Sequence, residues 1–366
     1  IRIHPGTYTG VPNGFKVNKV ITIVGDPEHP ENVVIDCGGE GGVGQGFILS
    51  GQSVTLNGLT ITGARSTSVT PYVPPDPNPG TDGLNGFNNY GGAIYVTGSH
   101  TIKNCIIRNA LVGVNPATDG ILGDDPNDPD NGYDPDNPFN PINGKGGNGG
   151  NGGSAGGAGI YVHSGNPYIQ NVLIEDCQAY GGNAGNGASG YSDQNDLEQP
   201  VDDPTTIYFP PGIAGYGGNG GDALGAGIYV RTGSPYFTNV TVRNSIVRAG
   251  NGGNGADGSA DANGGDGGLP GRAAGAGIYC AADSSPVFSN SVIENCTAYG
   301  GRGGNGGDAG QLQLEDYLTG GYGGLTTETA AGQGDIRMYS SNGGAVFCAD
   351  NSNPVFDNCT FTGNMT

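Results

Sequence analysis

The chain holds 366 residues, 76 of them glycine and 24 proline, with no tryptophan and 34% hydrophobic residues. Glycine costs about 1 kcal/mol in a helix interior, so a chain that is one-fifth glycine excludes ordinary helical and doubly wound folds. Thirteen Lys plus Arg against 34 Asp plus Glu give a formal charge of −21; with no basic cluster, this excludes nucleic acid and anionic membranes as partners and favours cations.

Collagen is excluded because no strict Gly-X-Y frame runs through the chain. General disorder is excluded because runs rich in Ile, Val, Phe and Tyr recur between the glycine tracts. No apolar run approaches the roughly 18 residues that would span a bilayer. The chain opens at Ile1 without a signal-like segment, and so reads as a processed protein or a segment of a longer one.

In chain order, residues 1–64 carry strand-like stretches at Ile1–Tyr8, Val20–Gly25 and Gly58–Gly63. A repeat follows over 91–366. Its first block occurs five times, as Gly91-Gly92-Ala93-Ile94-Tyr95, Gly157–Tyr161, Gly225–Tyr229, Gly275–Tyr279 and Gly343–Phe347. Second blocks begin at Thr101, Pro167, Pro235, Pro286 and Pro354, and the two blocks together span about 24 residues, as from Gly157 to Tyr180.

Alignment of the copies sorts residues by chemistry. Ile102, Ile169, Phe237, Phe288 and Phe356 share an apolar column, and two residues on stand Asn104, Asn171, Asn239, Asn290 and Asn358 without exception. A second apolar column is Ile107, Ile174, Val242, Ile293 and Phe361, followed by Asn109, Asp176, Asn244 and Asn295, with the last copy slipping to Asn364. Apolar columns separated by turn residues predict an all-β parallel solenoid in which each unit stacks on the next at about 4.8 Å. The Asn column then becomes a ladder of side-chain amides, at a corner where Asn tolerates left-handed backbone.

Gly-rich inserts lie at about 65–90, 113–156, 181–224, 250–274 and 300–342, all leaving at one corner. Their Gly-Gly-Asn triplets match the three-residue turn of polyproline II, which predicts a polyglycine-II layer beside the solenoid. The alternative is a set of flexible loops. Tyr95, Tyr161, Tyr229 and Tyr279 form an outward column that either stacks sugar rings or is covered by the inserts, covering being favoured. Arg108, Glu175, Arg243 and Glu294 alternate in sign at one position, a device that sets register rather than a catalytic pair.

Among seven cysteines, Cys280 and Cys348 replace valines of one inward column on adjacent units, so a disulfide between them is geometrically allowed. Cys177 and Cys296 have Ser245 between them and lie out of reach of each other. An acidic loop carries Asp124, Asp125, Asp128, Asp130, Asp134 and Asp136 on a Pro-stiffened segment, a composition suited to Ca²⁺ or simply to water. The histidines at positions 4, 29, 100 and 163 are dispersed, and no nucleophile-base spacing suggests catalysis.

The GGAIY-type and PVFxN-type blocks resemble right-handed parallel β-helix repeats, including bacterial surface proteins of the polymorphic outer-membrane GGAI/FxxN type. The opening stretch is similar to the first coils of pectate-lyase-like helices. The resemblance implies a right-handed β-helix of about eight coils, and no lyase or esterase residue carries over. The chain is therefore expected to be a single domain over 1–366, an extracellular structural or adhesive protein and building block of a surface layer, fibre or filament. Its open ends imply self-association or further flanking domains. The alternatives are a polysaccharide-active enzyme and a carbohydrate-binding module.

Overall fold

The computed structural model describes residues 1–10, 14–38, 44–51, 53–67, 80–113, 145–190, 213–258, 262–309 and 341–366. The chain is all-β. Among the described residues, strands form parallel sheets of 12, 7, 5 and 5 strands, and one 3-10 turn covers Pro30–Asn32.

One repeat visits all four sheets. Ala155–Gly156, Ile160–Ser164, Tyr168–Glu175 and Gln178–Tyr180 each pair with the equivalent strand of the next repeat, Ala223–Leu224, Ile228–Val230, Tyr236–Arg243 and Ile246–Arg248. The sequence columns are rungs of these ladders. Ile102 pairs with Ile169, Ile169 with Phe237, Phe237 with Phe288 and Phe288 with Phe356.

Two corners bend the longest sheet, and both are written in left-handed residues. The first column holds Gly58, Asn104, Asn171, Asn239, Asn290 and Asn358, with φ between 49° and 74°. The second holds Gly63, Asn109, Asp176, Asn244, Asn295 and Gly363. Asn and Asp tolerate this region because their short polar side chains bond locally, whereas a β-branched residue would clash. The last copy therefore does not slip by one residue. Gly363 takes the corner, and Asn364 accepts the Cys296 N–H at 2.9 Å and donates to the Ile293 carbonyl.

Alternation puts one face of each strand inward. Ile102, Ile169, Phe237, Phe288, Ile107 and Ile174 are fully buried in a core that runs the length of the stack. Phe237 and Phe288 stack with centroids 4.3 Å apart, and Phe356 continues the stack at 5.0 Å from Phe288. Phe361, predicted for the second apolar column, is exposed on the last described rung.

Candidate functional site

Three arrangements lie side by side on this frame: amide ladders at the corners, a layer built from the glycine tracts, and an aromatic spine between layer and core.

The amide ladder at the first corner is continuous from Asn239 through Asn171 and Asn104, and ends on Asn57, the neighbour of Gly58. Asn104 donates to Asn57 at 2.8 Å, Asn171 to Asn104 at 2.9 Å and Asn239 to Asn171 at 2.9 Å. Near the end of the stack Asn358 donates to Asn290. At the second corner Asn244 donates to Asp176 at 3.2 Å.

The glycine tracts are hydrogen-bonded to one another through backbone groups with a period of three. Gly182 and Gly185 donate to the carbonyls of Gly153 and Gly150, while Gly218 and Gly221 donate to Gly185 and Gly182. Sequence number rises along one tract as it falls along its partner, so these neighbours are antiparallel. Other bonds run parallel, as from Gly149 and Gly152 to Tyr216 and Asn219. Each inner tract thus has partners in its own row and in a second row. Such close approach requires glycine: a Cβ on Gly218 would run into the Gly150 carbonyl.

The third residue of each triplet explains the asparagines. Asn219 Oδ1 accepts the Leu269 N–H at 2.8 Å, and Gly220 donates its own N–H to the Leu269 carbonyl at 2.8 Å. Asn151-Gly152 grips Asn219 in the same way, Asn186-Gly187 grips Asn254, and Asn254-Gly255 grips Asn305. One dipeptide therefore satisfies both backbone groups of one residue in the neighbouring tract, an economical answer to the demand that packed backbone be paired. Two further tracts join the layer where triplet spacing is less obvious: Gly83 and Gly86 donate to Asn148 and Asn151, and Gly265, Gly268 and Gly271 donate to Ala256, Gly253 and Gly250. In the first of these Asp82, Asn85 and Asn88 accept the N–H groups of Asn148, Asn151 and Ser154; in the second the third position of the triplet carries Asp266, Leu269 and Arg272, which hides the repeat from a search for asparagine.

Between layer and core runs the tyrosine column. Tyr161, Tyr229 and Tyr279 are buried, at 3%, 8% and 5% exposure, under Leu224 and Ala274, and Tyr95 is half-buried at the edge. Of the two readings of Tyr95, Tyr161, Tyr229 and Tyr279, the burial supports the favoured covering and not sugar stacking for Tyr161, Tyr229 and Tyr279: the rings pack on each other edge to face, and the short strands before each Gly-Ala-Gly lie over them, while Tyr95 is tilted against Tyr161 and partly open. Tyr161 and Tyr229 lie 5.0 Å apart, Tyr229 and Tyr279 4.8 Å, and Tyr90 packs against Tyr161 at 5.2 Å. Burial pushes the phenols of Tyr90, Tyr161, Tyr229 and Tyr279 above their ordinary range.

The charge column is in register, Arg108 beside Glu175, Glu175 beside Arg243 and Arg243 beside Glu294. Arg243 contacts Glu175 Oε2 through Nε at 2.9 Å and Nη2 at 2.6 Å. Where the last strand of each repeat hands over to the layer, a groove of about 720 Å³ opens, lined by Tyr180, Arg248, Tyr299, Arg302, Asn183 and Asn251. The Arg248 guanidinium sits 4.8 Å from the centre of the Tyr299 ring.

The six aspartates of the proposed cation loop, Asp124 to Asp136, lie outside the described residues. Among the described residues no group of three or more His, Cys, Asp or Glu could hold a metal. His100 is buried, its Nδ1 accepting the Val54 N–H at 3.1 Å and its Nε2 at 2.9 Å from the Thr97 carbonyl, so it ties a turn to the neighbouring strand. Cys280 and Cys348 are register partners, and both carry free thiols. No family model matches the chain, and neither a curated protein nor a solved structure matches it.

Proposed function

We propose that this chain is an extracellular structural or adhesive protein: a right-handed parallel β-helix braced by a polyglycine-II side layer, acting as a building block of a surface layer, fibre or filament. The observation that carries this reading is the shared axial repeat. Strands of the core and tracts of the layer both bond to the equivalent segment of the next repeat, so stiffness accumulates along one axis. Electron microscopy of native material tests it: rods, sheets or fibres at the cell surface support the reading, and isolated compact particles inside cells overturn it. Release of unsaturated sugars from pectin-like or alginate-like polymers would replace it with the lyase alternative.

The groove favours a second reading, contact with glycans. Two tyrosines flank an arginine on successive rungs there, a surface suited to stacking against a sugar ring. Glycan-array binding that is lost in Tyr180→Ala and Tyr299→Ala would support it, and an array without signal would remove it.

A further inference from the structure

Two of the seven cysteines differ from the rest in what their sulfur touches. Cys105, Cys177, Cys296 and Cys359 each direct the thiol at the backbone carbonyl two residues back, at 3.1, 3.5, 3.4 and 3.4 Å. Burial raises Cys37, Cys105 and Cys296 to about 11 and Cys177 to about 12. Cys37, Cys105, Cys177 and Cys296 are thus small core side chains that hold their protons.

Cys280 and Cys348 face each other instead. They are consecutive members of the column that begins Val96, Val162 and Val230. Parallel neighbours lie about 4.8 Å apart, inside the separation of about 4.4–6.8 Å that a disulfide bridges. Cys280 is fully buried and Cys348 is exposed. The facing Cys348 thiol, and then burial, push Cys280 above the ordinary thiol range, while the facing Cys280 thiol holds Cys348 below it. One sulfur is thus an accessible nucleophile and the other a sheltered thiol on the adjoining rung.

We propose that Cys280 and Cys348 are a redox dithiol that closes into a cross-rung disulfide by exchange with a low-molecular-weight disulfide. The Cys348 thiolate attacks one sulfur of R–S–S–R, forming a mixed disulfide and expelling one thiolate. Cys280 gives up its proton to solvent and attacks Cys348 Sγ, which breaks the mixed disulfide and expels the second thiolate. Two protein thiols are oxidised, and one small disulfide is reduced to two thiols. The product clamps the rung Val346–Cys348 onto Ile278–Cys280 and closes the chain between positions 280 and 348, including the glycine tract that begins at Gly300. The inference is independent of what the protein does outside the cell, since it concerns only this pair.

The test treats the whole chain with oxidised glutathione at mildly alkaline pH, followed by alkylation and peptide mapping without reduction. The expected product is a Cys280–Cys348 cross-linked peptide lighter by two hydrogens, with the other five cysteines alkylated. Cys280→Val, which matches the valines of the same column, is expected to fold and to stop at glutathionylated Cys348. Alkylation of both cysteines in the treated native chain, a stable mixed disulfide there, or a cross-link to any other cysteine would overturn the proposal.

Discussion

The core strands and the glycine layer solve one problem, pairing every backbone group along the same axis, with opposite side-chain requirements. In the core, hydrogen bonds bring Phe237 onto Phe288 and Ile102 onto Ile169, and the side chains contribute the apolar burial. In the layer, the same kind of bond joins Gly218 to Gly185 and holds it close against the Gly150 carbonyl, where any side chain would intrude. Removal of atoms should therefore damage the core, and addition of atoms should damage the layer.

The largest effect is expected at the seam that both regions share. Tyr90, Tyr161, Tyr229 and Tyr279 have phenols raised by burial. Their folded values lie above the unfolded value of about 10, so the stability they contribute is complete below that pH and is lost as pH rises beyond it. Alkaline titration should show these four ionising only as far-ultraviolet circular dichroism collapses. Ionisation of these four near the ordinary phenol range with structure intact would break the picture of a common seam.

Next comes Phe237→Ala, which opens a void beside Phe288 and should cost about 3–5 kcal/mol of local stability, read by hydrogen exchange over Tyr236–Arg243. Gly218→Ala should cost about 1–3 kcal/mol by overpacking. Protection should vanish across tracts 149–153, 182–185 and 217–221 while Ile228–Val230 keeps its own. Free-peptide exchange rates in these tracts before any substitution would remove the layer altogether. Asn171→Ala places a Cβ-bearing residue without a local acceptor at φ 52°, at about 1–2 kcal/mol, and also breaks the amide ladder. Asn171→Gly loses only the ladder bonds, about 1 kcal/mol, so comparison of the two variants separates backbone from side chain. The smallest effect belongs to Arg243→Ala: the arginine side chain is 42% exposed, and its pair with Glu175 is worth about 0–1 kcal/mol.

Much of the core is legible in the sequence because each position has one dominant demand. Asn104, Asn171 and Asn239 recur where φ must be positive, and Ile169 and Phe237 recur where the core must be filled. The layer is only half legible. Gly-Gly-Asn spacing reveals a period of three, yet glycine carries no mark of its partner, so nothing local says that Gly182 meets Gly153 while Gly181 meets Arg248. The cover over the tyrosines comes from Tyr90, Leu224 and Ala274, residues of two-residue strands too short to show any alternation. The groove depends on Tyr180, Arg248 and Tyr299, which are unlike in chemistry and become a set only when their rungs are stacked.

The Asn-Gly grip also governs how the protein ages. In a loose chain, Asn-Gly is the dipeptide most prone to lose ammonia, because the glycine nitrogen swings onto the asparagine side-chain carbonyl and closes a succinimide. Here Gly220 N–H is held by the Leu269 carbonyl while Asn219 Oδ1 is held by the Leu269 N–H, and the same restraint acts at Asn148-Gly149, Asn151-Gly152, Asn251-Gly252 and Asn254-Gly255. Attacking atom and target carbonyl are both tethered to a third residue, so ring closure must wait for the lattice to open. A composition that would be a molecular clock in a linker becomes, in this layer, a durable material, with deamidation marking only the places where a tract has come loose.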